Sequence, residues 1–291
     1  MNLKGRGKNI AGTTLTHAGR KATYGRYRLI LLTGAFLIIL VNPFVNYYLH
    51  QNFIQGWYQS LGIGKLWFVS PLEGIESLLI SKSLYMPSLV GMLIPLLLAM
   101  LLGRVFCSWL CPVTFMLEIF DRIRKFLSGR RYLFNGLVVA KRVLWFTLIA
   151  ELVLSMVLGA PLFVFLSPPG LIGREIMMLV FFKTVAFEGG ILLLILFLEL
   201  LTRRFFCRSF CPLGGFLAFV GQKRKLLVGY EEDNCTGCGR CDLVCPMGLA
   251  PRSADREGGY CWNCGECLDN CQEEALFFHW KGQQAGKVIR K

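Results

Sequence analysis

Twelve cysteines fall in a pattern too regular to be incidental: Cys107 and Cys111, Cys207 and Cys211, then the runs Cys235, Cys238, Cys241, Cys245 and Cys261, Cys264, Cys267, Cys271. Each of the last two runs spaces three cysteines by two residues and a fourth by three. Three thiolates so spaced wrap one corner-sharing set of irons, and the fourth of each run reaches the other cluster. The expected ligand sets are therefore Cys235, Cys238, Cys241 and Cys271 for one [4Fe–4S] cluster, and Cys261, Cys264, Cys267 and Cys245 for the second. Pro246 follows the first run, whereas Gln272 stands where a proline is expected after the second, which alters the local turn but not the ligands. Paired zinc sites are the alternative, but they usually separate two CxxC halves by a longer spacer.

The other four cysteines belong to a repeat. Arg104-Val-Phe-Cys-Ser-Trp-Leu-Cys-Pro112 returns as Arg204-Phe-Phe-Cys-Arg-Ser-Phe-Cys-Pro212. Cysteines at i and i+4 of one helix point to the same face. Pro112 and Pro212, lacking an N–H, should free the carbonyls of Ser108 and Arg208 and weaken the helix there. If pseudo-symmetry relates the copies, Cys107, Cys111, Cys207 and Cys211 converge on a shared redox centre, most naturally a third iron–sulfur centre. A redox dithiol and cysteines that only pack stay open as alternatives. Arg104 and Arg204 are placed either to lower thiolate pKa values and donate hydrogen bonds to a cluster, or to snorkel to lipid phosphates.

The elements that carry these groups are unusually apolar. Hydrophobic residues make up 54% of 291 and the mean hydropathy is +0.52, beyond an ordinary soluble domain. Four stretches, roughly 29–49, 85–106, 143–166 and 184–201, are long enough or nearly so to cross about 30 Å of hydrocarbon. Asn42-Pro43 is no small-residue cleavage site and the basic lead is long, so the first stretch reads as a retained anchor. Pro95 in the second is tolerable, because neighbouring helices satisfy the freed carbonyl.

The net charge of +14 divides into +17 over residues 1–229 and −3 over 230–291. The basic excess lies between apolar runs, which argues against nucleic acid and for membrane orientation. Segments 1–28, 112–142 and 202–229 hold seven, seven and six Lys and Arg, against two each in 50–87 and 167–187. The positive-inside rule then puts both termini in the cytoplasm, in a multi-pass protein of the bacterial inner membrane. All twelve cysteines fall at or beyond the cytoplasmic ends of the spans, where thiols stay reduced.

The expected fold is a membrane protein whose membrane half is all-α, with four transmembrane helices arranged as two pseudo-repeated hairpins. A small α+β two-cluster ferredoxin-like domain follows. Residues 1–28 form a basic cytoplasmic tail, 29–229 the transmembrane domain, 230–280 the ferredoxin-like domain and 281–291 a basic tail. The post-proline segments 113–127 and 213–227 read as short helices lying in the interface.

Residues 230–280 resemble bacterial two-cluster ferredoxins. Gly103-Arg104-Val-Phe-Cys-Ser-Trp-Leu-Cys-Pro112, the second CxxxCP motif and the eight-cysteine tail together resemble the NapH family. The likeness extends to Pro71-Leu-Glu-Gly-Ile-Glu-Ser and Ser167-Pro-Pro-Gly-Leu-Ile-Gly-Arg174. NapH proteins are the membrane quinol dehydrogenase subunits of periplasmic nitrate reductase systems, and NosR, MauN and CcoG share their plan. The resemblance implies oxidation of ubiquinol or menaquinol from the quinone pool. Electrons would leave through a NapG-like iron–sulfur subunit towards a periplasmic reductase or cytochrome. The likeness to CcoG would instead imply a reductase serving metal-cofactor assembly, although no Met/His-rich copper tract is visible. A membrane-anchored ferredoxin relay module is the third reading.

Quinol oxidation also releases protons, and ionisable residues within spans are often functional. Glu151, Glu188, Glu199 and His50 are the acid/base candidates, each also explicable as a structural helix-end residue. Haem is not expected: the histidines are His17, His50 and His279, which offer no facing pair, and no CxxCH occurs. No Gly-rich dinucleotide fingerprint follows a strand either.

Overall fold

The computed structural model describes residues 23–282 apart from 50–53, 57–59, 64–65, 83–85, 130–140, 163–166, 185–188 and 254–255. His50, Glu188 and both terminal tails lie outside the described residues.

Helix α1, Thr23–Leu49, is long and apolar enough to cross a bilayer, through its stretch Thr23–Asn42. The chain then forms an antiparallel meander of Ile54–Gly56 (β1), Ser60–Ile63 (β2) and Leu66–Val69 (β3), followed by helix Pro71–Ser81 (α2). The part before the ferredoxin-like domain is therefore not all-α, because the connection after α1 folds into a small sheet of its own. The next helix, Met86–Leu102 (α3), packs against β3, where Gly91 lets its backbone meet the Trp67 carbonyl.

Three expected spans are shorter than the apolar runs suggested. At a rise of about 1.5 Å per residue, α3, Val143–Leu158 (α6) and Gly189–Leu201 (α8) are about 20–25 Å long. Their ends have local causes. Gly103, at φ +76°, turns the chain out of α3, and Gly159, at φ +64°, caps α6 eight or so residues before the apolar run ends. Arg204, at φ +56°, does the same after α8.

Each cysteine repeat follows such a break: Val105–Trp109 (α4) then Pro112–Ser128 (α5), and Phe205–Ser209 (α9) then Pro212–Val220 (α10). Between the copies lie α6 and Pro168–Met177 (α7), whose N-cap Ser167 accepts a hydrogen bond from the Gly170 N–H. The ferredoxin-like part begins with Leu226–Tyr230 (β4), which pairs antiparallel with Leu276–Trp280 (β5), Leu226 opposite Trp280 and Tyr230 opposite Leu276. Short helices Arg240–Val244 (α11) and Glu266–Asp269 (α12) lie between.

One core joins the two parts, running from Leu72 and Ala99 through Leu117, Leu148 and Leu217 to Met247, Leu249 and Trp262. The seam is close. A side chain at Gly259 would collide with the Ala218 carbonyl, and one at Gly265 would meet the Tyr24 Cβ at 2.6 Å. Asp269 of α12 accepts hydrogen bonds from the backbone N–H groups of Thr23, Tyr24 and Gly25 at 2.7–3.2 Å. These N–H groups belong to the first turn of the helix, so the ferredoxin-like part caps α1.

Candidate iron–sulfur sites

The two CxxxCP copies are not continuous helices. Leu110 leaves helical geometry, Cys111 is extended at φ −66°, ψ 126° as the N-cap of α5, and Pro112 occupies the first helical position. Cys211 and Pro212 repeat this at φ −82°, ψ 108°. Proline is pre-organised for a helix start but would clash with the carbonyl four residues back. Each proline therefore ends one helix and begins another. The expectation of two cysteines one turn apart on a single helix face is corrected: the first cysteine sits within a short helix and the second caps the next.

The break still brings all four thiols together. Cys107, Cys111, Cys207 and Cys211 line one cavity, with Arg104, Thr114, Phe206 and Trp262 among the other lining residues. Thr114 Oγ1 donates to the Cys107 carbonyl at 2.6 Å, and the Gly214 N–H donates to Cys211 Sγ at 3.3 Å. Burial pushes all four thiols up, those of Cys111 and Cys211 to about 12, with the neighbouring sulfurs adding to the shift at three of them. Bare thiolates are thus strongly disfavoured here, and metal binding relieves this by displacing the protons and neutralising the charge.

The repeated arginines have diverged. Arg104 lines the cysteine cavity, donates from Nη2 to the Cys207 carbonyl at 3.2 Å, and its guanidinium opposes the upward push of burial on the Cys107 thiol. Arg204 is absent from that lining and pairs instead with Glu118 at 2.9 Å and Asp121 at 3.4 Å. Neither snorkels, since they are 0% and 1% exposed.

Two further cavities lie in the ferredoxin-like part. Cys235, Cys238, Cys241 and Cys271 line one, beside Tyr230 and Arg252. Cys245, Cys261, Cys264 and Cys267 line the other, beside Val228, Met247 and Trp262. The fourth cysteine of each run is thus brought to the other run's cavity. Gly237, Gly239 and Gly265 adopt φ of +70°, +72° and +78°, which folds the backbone tightly around the first three cysteines of each run. Among the described residues no three His, Cys, Asp or Glu side chains are gathered tightly enough for a single metal ion. Four thiols spread around a cavity suit a multi-iron cluster, and each of the three donor sets fits one.

A buried ionic network, which the sequence did not reveal, holds the sites in register. Arg28 of α1 reaches Glu118 at 2.7 Å and Glu266 at 2.6 Å. Arg203 reaches Asp121 at 2.9 Å and Glu266 at 3.1 Å, and donates to the Val244 carbonyl at 2.8 Å. With Arg204, three guanidinium groups meet three carboxylates from α1, α5, the turn before α9, and α12. Burial works against the charged form of Glu266, but Arg203 and then Arg28 hold it well below the usual carboxylate range. Glu199 joins from the side, its Oε1 accepting the Arg204 N–H at 2.5 Å. Glu151 lies in α6 and Glu199 in α8, and neither lines a cysteine cavity.

Fold and donor sets define an iron–sulfur protein of the electron-transfer class. A family profile described as a 4Fe-4S binding domain matches residues 85–131 and 186–230, the two CxxxCP repeats rather than the eight-cysteine tail. The methylamine utilization ferredoxin-type protein MauN of Methylobacillus flagellatus is 32% identical over 189 residues, 64% of each chain. An uncharacterised protein of Methanocaldococcus jannaschii is 32% identical over 63% of this chain and 75% of its own. The ferredoxin-type protein NapH of Escherichia coli is 27% identical over 78% and 79%. No solved structure matches. The chain belongs to this ferredoxin-type family of NapH and MauN.

Proposed function

We propose that the protein is a membrane-bound quinol dehydrogenase subunit that passes electrons through three iron–sulfur sites to a partner. The observation that carries this reading is the succession of cysteine-lined cavities. One lies where the apolar helices end, a second shares Trp262 with it, and a third opens beside the exposed Cys238. Bound clusters would supply one-electron acceptance at each position. The chain's own residues hold them: Cys107, Cys111, Cys207 and Cys211 at the first, Cys245, Cys261, Cys264 and Cys267 at the second, and Cys235, Cys238, Cys241 and Cys271 at the third.

Membrane residence with four spans is supported by what the helices expose. Leu31 and Ile38 on α1, Val90 and Leu97 on α3, Phe146 and Val153 on α6, and Leu193 and Phe197 on α8 are 47–69% exposed, or 49–53% on α1. An apolar surface of this kind marks contact with lipid or another protein. The three short helices reach a full crossing with their flanking segments or by local thinning of the bilayer. Both termini lie inside, as the Lys and Arg distribution indicates.

Glu151, Glu199 and His50 are the candidate proton acceptors for quinol, Glu199 with its Oε1 already accepting the Arg204 N–H. Electrons leave at the Cys238 face to a NapG-like iron–sulfur subunit and reach a periplasmic reductase through a partner's cofactor, since all three cysteine sites lie on the inner side. The test is to give anaerobically purified protein a short-chain quinol. Bleaching of the iron–sulfur absorbance is expected; full iron content with no bleaching overturns quinol oxidation.

A further inference from the structure

Trp262 stands between two of the cysteine sites. It lines both the cavity of Cys107, Cys111, Cys207 and Cys211 and that of Cys245, Cys261, Cys264 and Cys267, and among the described residues it is common to both linings. The side chain is 2% exposed. Its position is fixed from the membrane half: Ser108 Oγ donates to the Trp262 carbonyl at 2.9 Å, and Trp109 Nε1 donates to the Asn263 carbonyl at 3.2 Å. Asn263 Nδ2 in turn donates to the carbonyls of Leu102 at 2.8 Å and Leu226 at 3.0 Å. The Arg104 guanidinium lies over the ring, 5.7 Å from its centroid. Amid this order the indole Nε1 is buried with no hydrogen-bond partner, although a buried tryptophan N–H usually finds one.

A sulfur acceptor on either side would answer that vacancy in the hydrogen bonding. We infer that Trp262 couples the shared CxxxCP site to the site of Cys245, Cys261, Cys264 and Cys267, and that its Nε1–H donates to a cluster sulfur at one of them. The inference rests on the iron–sulfur reading of both sites. Bound clusters, held by the four cysteines of each site, would exchange one electron past the ring, which would itself be neither oxidised nor reduced. The cavity of Cys245 is then the inner station of the ferredoxin-like part, and that of Cys235, with Cys238 exposed, the outer one.

The experiment uses the full-length protein, purified anaerobically, with Trp262→Phe and Trp262→Ala. Iron, sulfide and EPR spectra of the unaltered protein come first; absence of a centre held by the CxxxCP cysteines is a failure of the underlying reading, seen before any variant is made. Phenylalanine keeps a ring but loses the donor. A hydrogen bond to sulfur favours the more negative reduced cluster, so Trp262→Phe should lower one midpoint potential in a redox titration while iron content is unchanged. In Trp262→Ala, freeze-quench EPR after mixing with a short-chain quinol should show transfer between the two centres slowed about tenfold or more, the scale on which losing an outer-shell group acts, with Phe restoring much of the rate. Unmoved potentials in Trp262→Phe overturn the hydrogen bond, and an unchanged rate in a fully loaded Trp262→Ala overturns the bridge. Should the alanine variant fail to assemble, the potential of the phenylalanine variant decides.

Discussion

A buried thiol and a cluster ligand are the same residue in two charge states, and burial decides which state the surroundings accept. Cys245 and Cys264, pushed up chiefly by burial to about 11 and about 12, line one cavity although they come from different runs. Cys245→Ser should therefore remove the signal of the cluster nucleated by the second run and spare the other, as read by EPR and iron analysis. Loss confined to the first run's cluster contradicts the crossover. In the repeated CxxxCP motifs the thiols of Cys107 and Cys207 are similarly enclosed, at 8% and 7% exposure. Replacing both with serine should abolish reduction by quinol while dithionite still reduces the eight-cysteine tail. Unimpaired reduction of the clusters by quinol would exclude a shared entry centre at these cysteines. Arg104 and Arg204 show how far residue type alone reaches: two matching arginines in matching motifs, one facing the cavity and one bound into a carboxylate pair.

At the scale of elements, the short helices and their breaks set the geometry. The motif works because α4 stops and α5 starts around Cys111 and Pro112, so the second thiol is placed by an N-cap and not by helical periodicity. The seam between α1, α5, α9 and α12 is closed by Arg28, Arg203, Glu118, Asp121 and Glu266. Removing one partner from a buried pair leaves an uncompensated charge, worth about 3–5 kcal/mol. Glu266→Gln should loosen the ferredoxin-like part by an amount of that order, measured as faster proteolysis near residues 226–230 in the loaded protein; unchanged cleavage would place the hold elsewhere. Gly259, pressed against the Ala218 carbonyl, gives an independent handle on the same seam. Gly259→Val should destabilise by about 1–3 kcal/mol through overpacking, read as a lower thermal midpoint.

For the whole molecule, the charge division and the exposed apolar helices support the proposal of a membrane protein with its cysteine sites on the cytoplasmic side. Cysteine introduced at the exposed Ser77 of α2 should react with an impermeant thiol reagent added to intact cells, whereas one at the exposed Lys223 should be protected until the membrane is opened. Reaction at Lys223 from outside would invert the orientation and move the electron exit to the other face. On the proposed orientation, about 30 Å of hydrocarbon would separate the cysteine sites from a periplasmic acceptor, and a partner's cofactor would have to make that crossing.

The sequence by itself determined the cysteine groupings, the repeat and the alternation of apolar and basic segments, because each is a local property: ligand spacing, helix-breaking prolines, runs of like residues. The expectation that Cys245 joins the second run came from the ligand pattern of two-cluster ferredoxins, and its place beside Cys261, Cys264 and Cys267 in one cavity comes from the fold. Only the tertiary structure decided where the helices end, because left-handed turns at Gly103 and Arg204 depend on what packs behind them. It also decided which arginines are bound. Arg203 and Glu266 are 63 residues apart and Arg28 and Glu118 are 90 apart, and no periodicity connects them. Trp262 was hidden for the same reason: between two cysteines it reads as filler, and its position between two cavities exists only once Ser108 and Trp109 have been folded against the loop that holds it.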